Sequence, residues 1–209
     1  MLIHHVPSLF PKLFTDFVWH KDRTQKTVYL TFDDGPVPGV TDFVLEQLEQ
    51  RNQLATFFMV GDNVTKNPDL AKTVQAAGHG IGNHTYHHLN GYHTATLQYY
   101  QDVFMCQRTI EDKLGVSTSF FRPPYGRISK KQTKLLKNHF RIVLWDVLSG
   151  DYDSSQSSDK CLYKTRKYTR NGSIVVFHDQ MKTQQMLKSV LPKYLDFLVV
   201  QGYQTGILT

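Results

Sequence analysis

The sequence predicts a parallel α/β fold, a barrel or an open sheet, in a single domain. Three observations carry this. Seven short runs rich in β-branched and aromatic residues recur along the chain, and they are continuous rather than alternating, as suits strands covered on both faces. Amphipathic stretches of helical period fall between them. The 209 residues, 40% of them hydrophobic, hold no linker, low-complexity tract or repeat, so they fit one sizeable core better than two.

The elements follow in order. The opening stretch MLIHHVPSLFPKLFTDFVWH is apolar but broken by Pro7 and Pro11. It has no basic leader, no clean apolar run and no small-residue cleavage site, so it does not read as a secretory signal. Residues 1–25 are expected to pack as an N-terminal extension on the domain formed by 26–209, with weak membrane-surface contact as a lesser alternative. TVYLTF (27–32) is the first buried strand. A helix is expected over 40–52, with Asp42 and Glu46 near its start. ATFFMV (55–60) is a second strand. Residues 67–78 carry an Asn cap, Pro at the first helical position and a Gly stop. HGIGNH (79–84) is a weaker strand. The longest helix is expected over 94–115. TSFFR (118–122), a helix over 129–139 and RIVLWDV (141–147) follow. Residues 154–170 read as helical after a Ser-rich start. GSIVVFH (172–178), a helix over 189–202 with Pro192 near its beginning, and YQTGIL (203–208) complete the alternation.

Composition excludes several classes. No run of about 18 uninterrupted apolar residues exists, so no spanning helix is predicted, and a cytoplasmic or peripheral location is expected. Cys106 and Cys161 form no CxxC and are expected as buried free thiols. The net charge of +6 gathers in 126–141 and 160–170. Such runs are usually solvated helix faces. They come with no nucleic-acid-binding signature, so no nucleic-acid partner is expected.

In parallel α/β folds the active site sits at the carboxyl ends of the strands. Here those ends are unusually rich in ionisable groups. Strand one ends in Asp33 and Asp34. Strand three ends in His84, His87 and His88, and strand four in Arg122, Tyr125 and Gly126. Strand five runs into Asp146, Asp151, Tyr152 and Asp153, and strand six ends in His178 and Asp179. Alone, each has a bland reading: a surface turn, an unligated His pair, a surface salt bridge, a core histidine. Together they point to a catalytic site. Two adjacent carboxylates repel unless a cation is near. His84 and His88, four apart, share a face if the chain turns helical after the strand. With one carboxylate they make a two-His-one-carboxylate metal set with open positions. One Asp of the pair would ligate while its neighbour, diverging along the extended chain, takes a proton from water.

Four motifs then carry a resemblance: TFDDGP (31–36), HTYHH (84–88), RPPYG (122–126) and VFH (176–178). In that order, at strand ends, they resemble the polysaccharide deacetylase family, the NodB-homology domain of carbohydrate esterase family 4. The likeness spans about Lys26 to Leu208. VFH has Val176 where the family's L-x-H has Leu, and a further motif departs more: the family's D-x-x-D-W reads LSGDY, with Leu148 for the first Asp and Tyr152 for the Trp. The resemblance implies a distorted (β/α) barrel of about seven parallel strands, in agreement with the seven runs. It implies hydrolysis of N-acetyl, sometimes O-acetyl, groups of glycans with one divalent metal ion, zinc above others. By position, Asp34, His84 and His88 would be the metal ligands. Asp33 would be the general base, oriented by Arg122, and His178 the general acid, paired with Asp151. The Tyr125 N–H would help bind the oxyanion, and Tyr125 and Tyr152 would meet substrate. An acetylated carbohydrate is the expected partner. The alternatives are an O-acetyl esterase on the same site, a non-haem iron oxygenase on the metal set, and a catalytically silent glycan-binding module.

Overall fold

A computed structural model describes residues 4–209, so residues 1–3 of the expected N-terminal extension lie outside the described residues. Nine strands occur among those described: β1 (Phe17–Val18), β2 (Thr27–Asp33), β3 (Thr56–Met59), β4 (Gly80–Asn83), β5 (Phe120–Phe121), β6 (Arg141–Val143), β7 (Val147–Leu148), β8 (Ile174–His178) and β9 (Gln204–Thr205). The sheet runs β1-β6-β5-β4-β3-β2-β8-β7, with β9 added beside β2, and every pairing between strands is parallel.

All seven expected runs contain strands, but 141–147 divides. Its first half pairs with β5, and the segment just past Asp146 pairs with β8. One short stretch thus touches both ends of the sheet path and curls it into a distorted barrel. Asp146 is the pivot. Its carboxylate accepts the Ile174 N–H (2.9 Å) and the Ser173 hydroxyl (3.1 Å), and pairs with Arg23 (2.8 Å) and Arg170 (3.8 Å). It is therefore a structural hub and not part of the strand-end cluster where the sequence reading put it.

The described part of the N-terminal segment lies along this seam. His4 Nδ1 meets the Leu148 carbonyl, Val6 N–H donates to Asp146, and β1 extends the sheet beside β6. A short helix, α1 (Leu9–Leu13), sits in the same segment.

Helices cover the sheet: α2 (Thr41–Glu49), α3 (Gly61–Lys66), α4 (Pro68–Ala76), α5 (Thr96–Leu114), α6 (Lys130–Leu136), α7 (Ser158–Tyr168) and α8 (Gln184–Val200). α5 ends as expected at Gly115, which is left-handed (φ 68°). α6 starts with a reciprocal Ser129–Gln132 capping box. α3 was not foreseen: six residues with few apolar side chains give no period to read. α8 begins five residues before the expected start. Leu187, Val190, Leu191, Tyr194, Leu195 and Leu198 are all buried on one face, and that continuous stripe carries the helix through Pro192. The main core lies between β2, β3, β8 and these helices. There Phe32 stacks on Phe57 (5.2 Å) and Phe177 (6.0 Å). Both cysteines are free and buried. Among the described residues no helix is long and apolar enough to cross a membrane.

Candidate active site

β2, β4, β5 and β8 deliver their carboxyl ends to one rim, and a cleft of about 450 Å³ opens there. Asp33 is the last residue of β2, in register with His178 of β8. Its Oδ1 accepts from Arg122 Nη1 at 2.6 Å. Arg122 is fully buried, stacked over Phe58 (4.1 Å), and it also donates to Thr31 Oγ1 (2.8 Å) and the Leu144 carbonyl (3.1 Å). Burial works against its charge and lowers it from the ordinary value, and Asp33 opposes that shift. Thr31 was overlooked; the clue was a hydroxyl inside an otherwise apolar run.

Asp34 departs from an extended chain. Its φ is 84°, so a left-handed residue, rather than simple strand alternation, sends the second carboxylate away from the first. Gly35 follows because nothing larger fits: a Cβ there would lie 2.0 Å from Asp179 Oδ2. Asp179, the other acid at the end of β8, is fully buried under this turn. It accepts from Gly35 N–H (3.1 Å) and Thr41 Oγ1 (2.6 Å), and burial pushes it up to about 8.

The second histidine of HTYHH reaches the site by a different route from the one expected. The chain does not turn helical after β4. Thr85 (φ 62°) and His88 (φ 55°) are left-handed instead. Asn83 Oδ1 accepts the Thr85 N–H, and Asp102 on α5 accepts the N–H groups of Tyr86 and His87. Asp102 also takes His87 Nδ1 (2.5 Å), which keeps His87 out of the cleft. Among the described residues, four of the five non-glycine residues with positive φ lie in this site: Asp34, Thr85, His88 and Tyr125. Such concentrated backbone strain is typical of functional centres.

Asp34 Oδ1 sits 2.9 Å from His88 Nε2 and 3.5 Å from His84 Nε2. It is buried, and among the described residues no hydrogen bond from outside this His pair reaches it. His84 Nδ1 is engaged by the Arg122 carbonyl (2.7 Å), which leaves Nε2 as the free ligand atom. Three lone-pair atoms within 4.8 Å of one another, one of them an orphaned buried oxygen, could hold a divalent ion. Burial opposes ionisation of Asp34, but the imidazoles of His84 and His88, then His178, hold it well below the usual carboxylate range. Its other oxygen, Oδ2, accepts from Gln180 Nε2. Gln180 was not singled out from the sequence and carries no motif that would have flagged it.

His178 closes the cleft from β8. Its Nδ1 meets Asp151 Oδ1 at 2.7 Å, and its backbone N–H donates to Asp151 Oδ2 at 2.7 Å. Burial alone would lower the imidazole, but Asp151, then Asp34 and Asp33, override it and raise it to about 9. Ser149 Oγ donates to Asp151 (3.1 Å), so the departure at Leu148 leaves the pair intact, and Leu148 itself lines the cleft. Tyr152 stands edge-on to His178 (5.0 Å) and Tyr125 edge-on to His88 (4.8 Å). Trp145, Arg127 and Lys182 complete the walls; none of the three figured among the expected site residues.

Residues 20–140 match the family described as Polysaccharide deacetylase. The chain belongs to this family. It is 34% identical over 188 residues to a peptidoglycan-N-acetylglucosamine deacetylase of Bacillus cereus, covering 89% of this chain and 88% of that protein. It is 33% identical over 184 residues to the peptidoglycan-N-acetylglucosamine deacetylase of Listeria monocytogenes. That match takes in 88% of this chain but only 38% of the length of the Listeria protein. The crystal structure of the Bc1960 peptidoglycan N-acetylglucosamine deacetylase, bound to an N-hydroxybenzamide, superposes with a TM-score of 0.89 at 29% identity. It covers 97% of this chain and 95% of the other.

Proposed function

We propose that the protein is a metal-dependent hydrolase that removes N-acetyl groups from an amino-sugar glycan of the chitooligosaccharide or peptidoglycan type. One observation above others supports this. Asp33, held from behind by Arg122, His178, held by Asp151, and the Asp34–His84–His88 group line one cleft, so every role in amide hydrolysis has a candidate group. The names of the relatives point the same way.

In this reading Asp34, His84 and His88 hold the ion, with zinc favoured by the nitrogen-rich donor set. The ion supplies Lewis acidity to an attacking water and to the acetyl carbonyl. Asp33 takes the proton of that water, and Arg122 fixes the carboxylate that receives it. The Tyr125 N–H donates to the developing oxyanion. An amine leaves well only when protonated. His178 donates that proton from Nε2, because Nδ1 is committed to Asp151. Acetate and a free amino sugar result, and the bond broken is C–N. Tyr125 and Tyr152 border the sugar.

The test pairs an N-acetylglucosamine tetramer with an O-acetylated xylan of similar size. Free amine should appear from the first at a rate well above acetate release from the second. Acetate from the xylan alone would make the protein an esterase. No product from either would leave the binding-module alternative.

A further inference from the structure

A second, larger groove of about 820 Å³ lies beside the catalytic cleft, between the N-terminal segment and α6. Three segments contribute to both. Asn90 lines the cleft and Tyr92 the groove; Tyr125 and Arg127 line the cleft and Gly126 the groove; Trp145 lines the cleft and Leu144 the groove. The shared wall is thin. Gly126, at φ 64°, lies against the Trp145 ring so closely that a Cβ would be 2.8 Å from it.

The groove is aromatic and cationic. Phe10 (44% exposed), Phe14 (45%) and Tyr92 (63%) are exposed along it, and the half-buried Trp19 packs against Phe10 (6.5 Å). Large exposed apolar faces on a surface mark a place where something binds. Lys130 and Lys134 of α6 line the opposite side. Among the described residues neither has an acidic partner, nor has Arg127 at the cleft edge, whereas Lys137 pairs with Asp16 (2.9 Å). Unpaired cations thus continue outward from the cleft. This gives the basic run of residues 126–141 a location that the catalytic machinery does not use.

We propose that this groove is a distal subsite for the glycan strand being deacetylated, and that it takes a strand bearing carboxylates. The inference rests on the deacetylase reading. Sugar rings present flat C–H faces that aromatic rings cover well, and the lysines meet the carboxylates between them. Adjacency to the cleft, across one thin wall, favours the strand over a membrane surface, the other occupant that an apolar, basic face would suit.

The experiment measures kcat/KM on a neutral N-acetylglucosamine tetramer and on soluble peptidoglycan strands, which carry carboxylates. It uses the wild type, Lys130→Glu/Lys134→Glu and Phe14→Ser. The strands should be the better substrate, mainly through KM, and should lose that advantage as salt rises. The charge-reversed variant should lose on the order of tenfold on strands and stay within about twofold on the tetramer. Phe14→Ser should follow the same split. Equal losses on both substrates, or none on strands, would overturn the proposal while leaving the deacetylase reading standing. Reduced binding of the variants to phosphatidylglycerol vesicles with unchanged strand kinetics would assign the groove to lipid and also overturn it. Absence of product from both substrates in the wild type would remove the deacetylase reading and the subsite with it.

Discussion

Replacing Asp151 with Asn should move the alkaline limb of the pH profile. His178 stands at about 9 against an ordinary 6.5, although burial pulls it down. A shift of that size corresponds to about 3 kcal/mol favouring the charged imidazolium. Asp151 is the largest cause raising it, through its charge and the 2.7 Å bond at Nδ1. Without that charge, burial remains and His178 should return toward 6.5 or below. At pH 8 about nine-tenths of the imidazole is protonated with a pKa of 9, but only about 3% with 6.5, a loss of about 30-fold without a bound cation and less with one. At pH 5.5 both forms are almost wholly protonated, so this effect vanishes. The assay is kcat/KM from pH 5 to 10 on an N-acetylated tetramer with the metal supplied. A bound cation offsets the contributions of Asp33 and Asp34, so the wild-type limb should fall between 6.5 and 9. The variant's limb should lie at least one pH unit lower. The diagnostic is the position of the limb, not the height of the plateau, which any misalignment of His178 would also lower. A limb unmoved by Asp151→Asn would show that His178 is not the acid or that Asp151 does not set its charge. The same pair bears on stability. A raised imidazole stabilises the fold fully below about 6.5, and the contribution fades as pH climbs through 9.

Three further outcomes follow from the geometry. Asp34→Asn should strip the ion and Asp33→Asn should retain it while losing turnover; metal content of the two purified variants checks this, and equal loss in both would contradict the split. Gln180→Leu frees Asp34 Oδ2 and should weaken zinc binding by roughly 10–100-fold in a chelator competition, with the melting temperature of the metal-free protein little changed. Unchanged affinity would mean that Gln180 does not orient the carboxylate. Arg122→Met leaves Asp33 buried without its cation and should cost about 3–5 kcal/mol in urea unfolding, against about half that or less for Arg122→Met combined with Asp33→Asn. Similar losses in the two proteins would show that the pair is not coupled.

Much of the candidate site was legible because its ionisable groups gather at strand ends. Asp33, Asp34, His84, Arg122 and His178 each end or closely follow one of the strand-like runs, and Tyr125 comes three residues after Arg122, so locating the strands located these candidates. What was illegible is backbone conformation and distant partnership. Nothing in HTYHH tells a helical turn from the left-handed one that Asn83 and Asp102 enforce. Asp146 looked like a member of the cluster, yet long-range pairs with Arg23 and Ser173 make it the seam of the barrel. The run 141–147 read as one strand because local sequence carries no record of which neighbours its two halves meet. Gln180 reaches Asp34 from 146 positions away, a contact that only the closed sheet creates.

The central claim is that an ion on Asp34, His84 and His88 drives amide hydrolysis in this cleft. The most direct measurement is acetate release from an N-acetylglucosamine tetramer by protein stripped with a chelator, then titrated with zinc. Release should be lost on stripping and return in proportion to added zinc, levelling off near one equivalent. Full activity in the stripped protein, or none at saturating zinc with the ion bound, would contradict the claim.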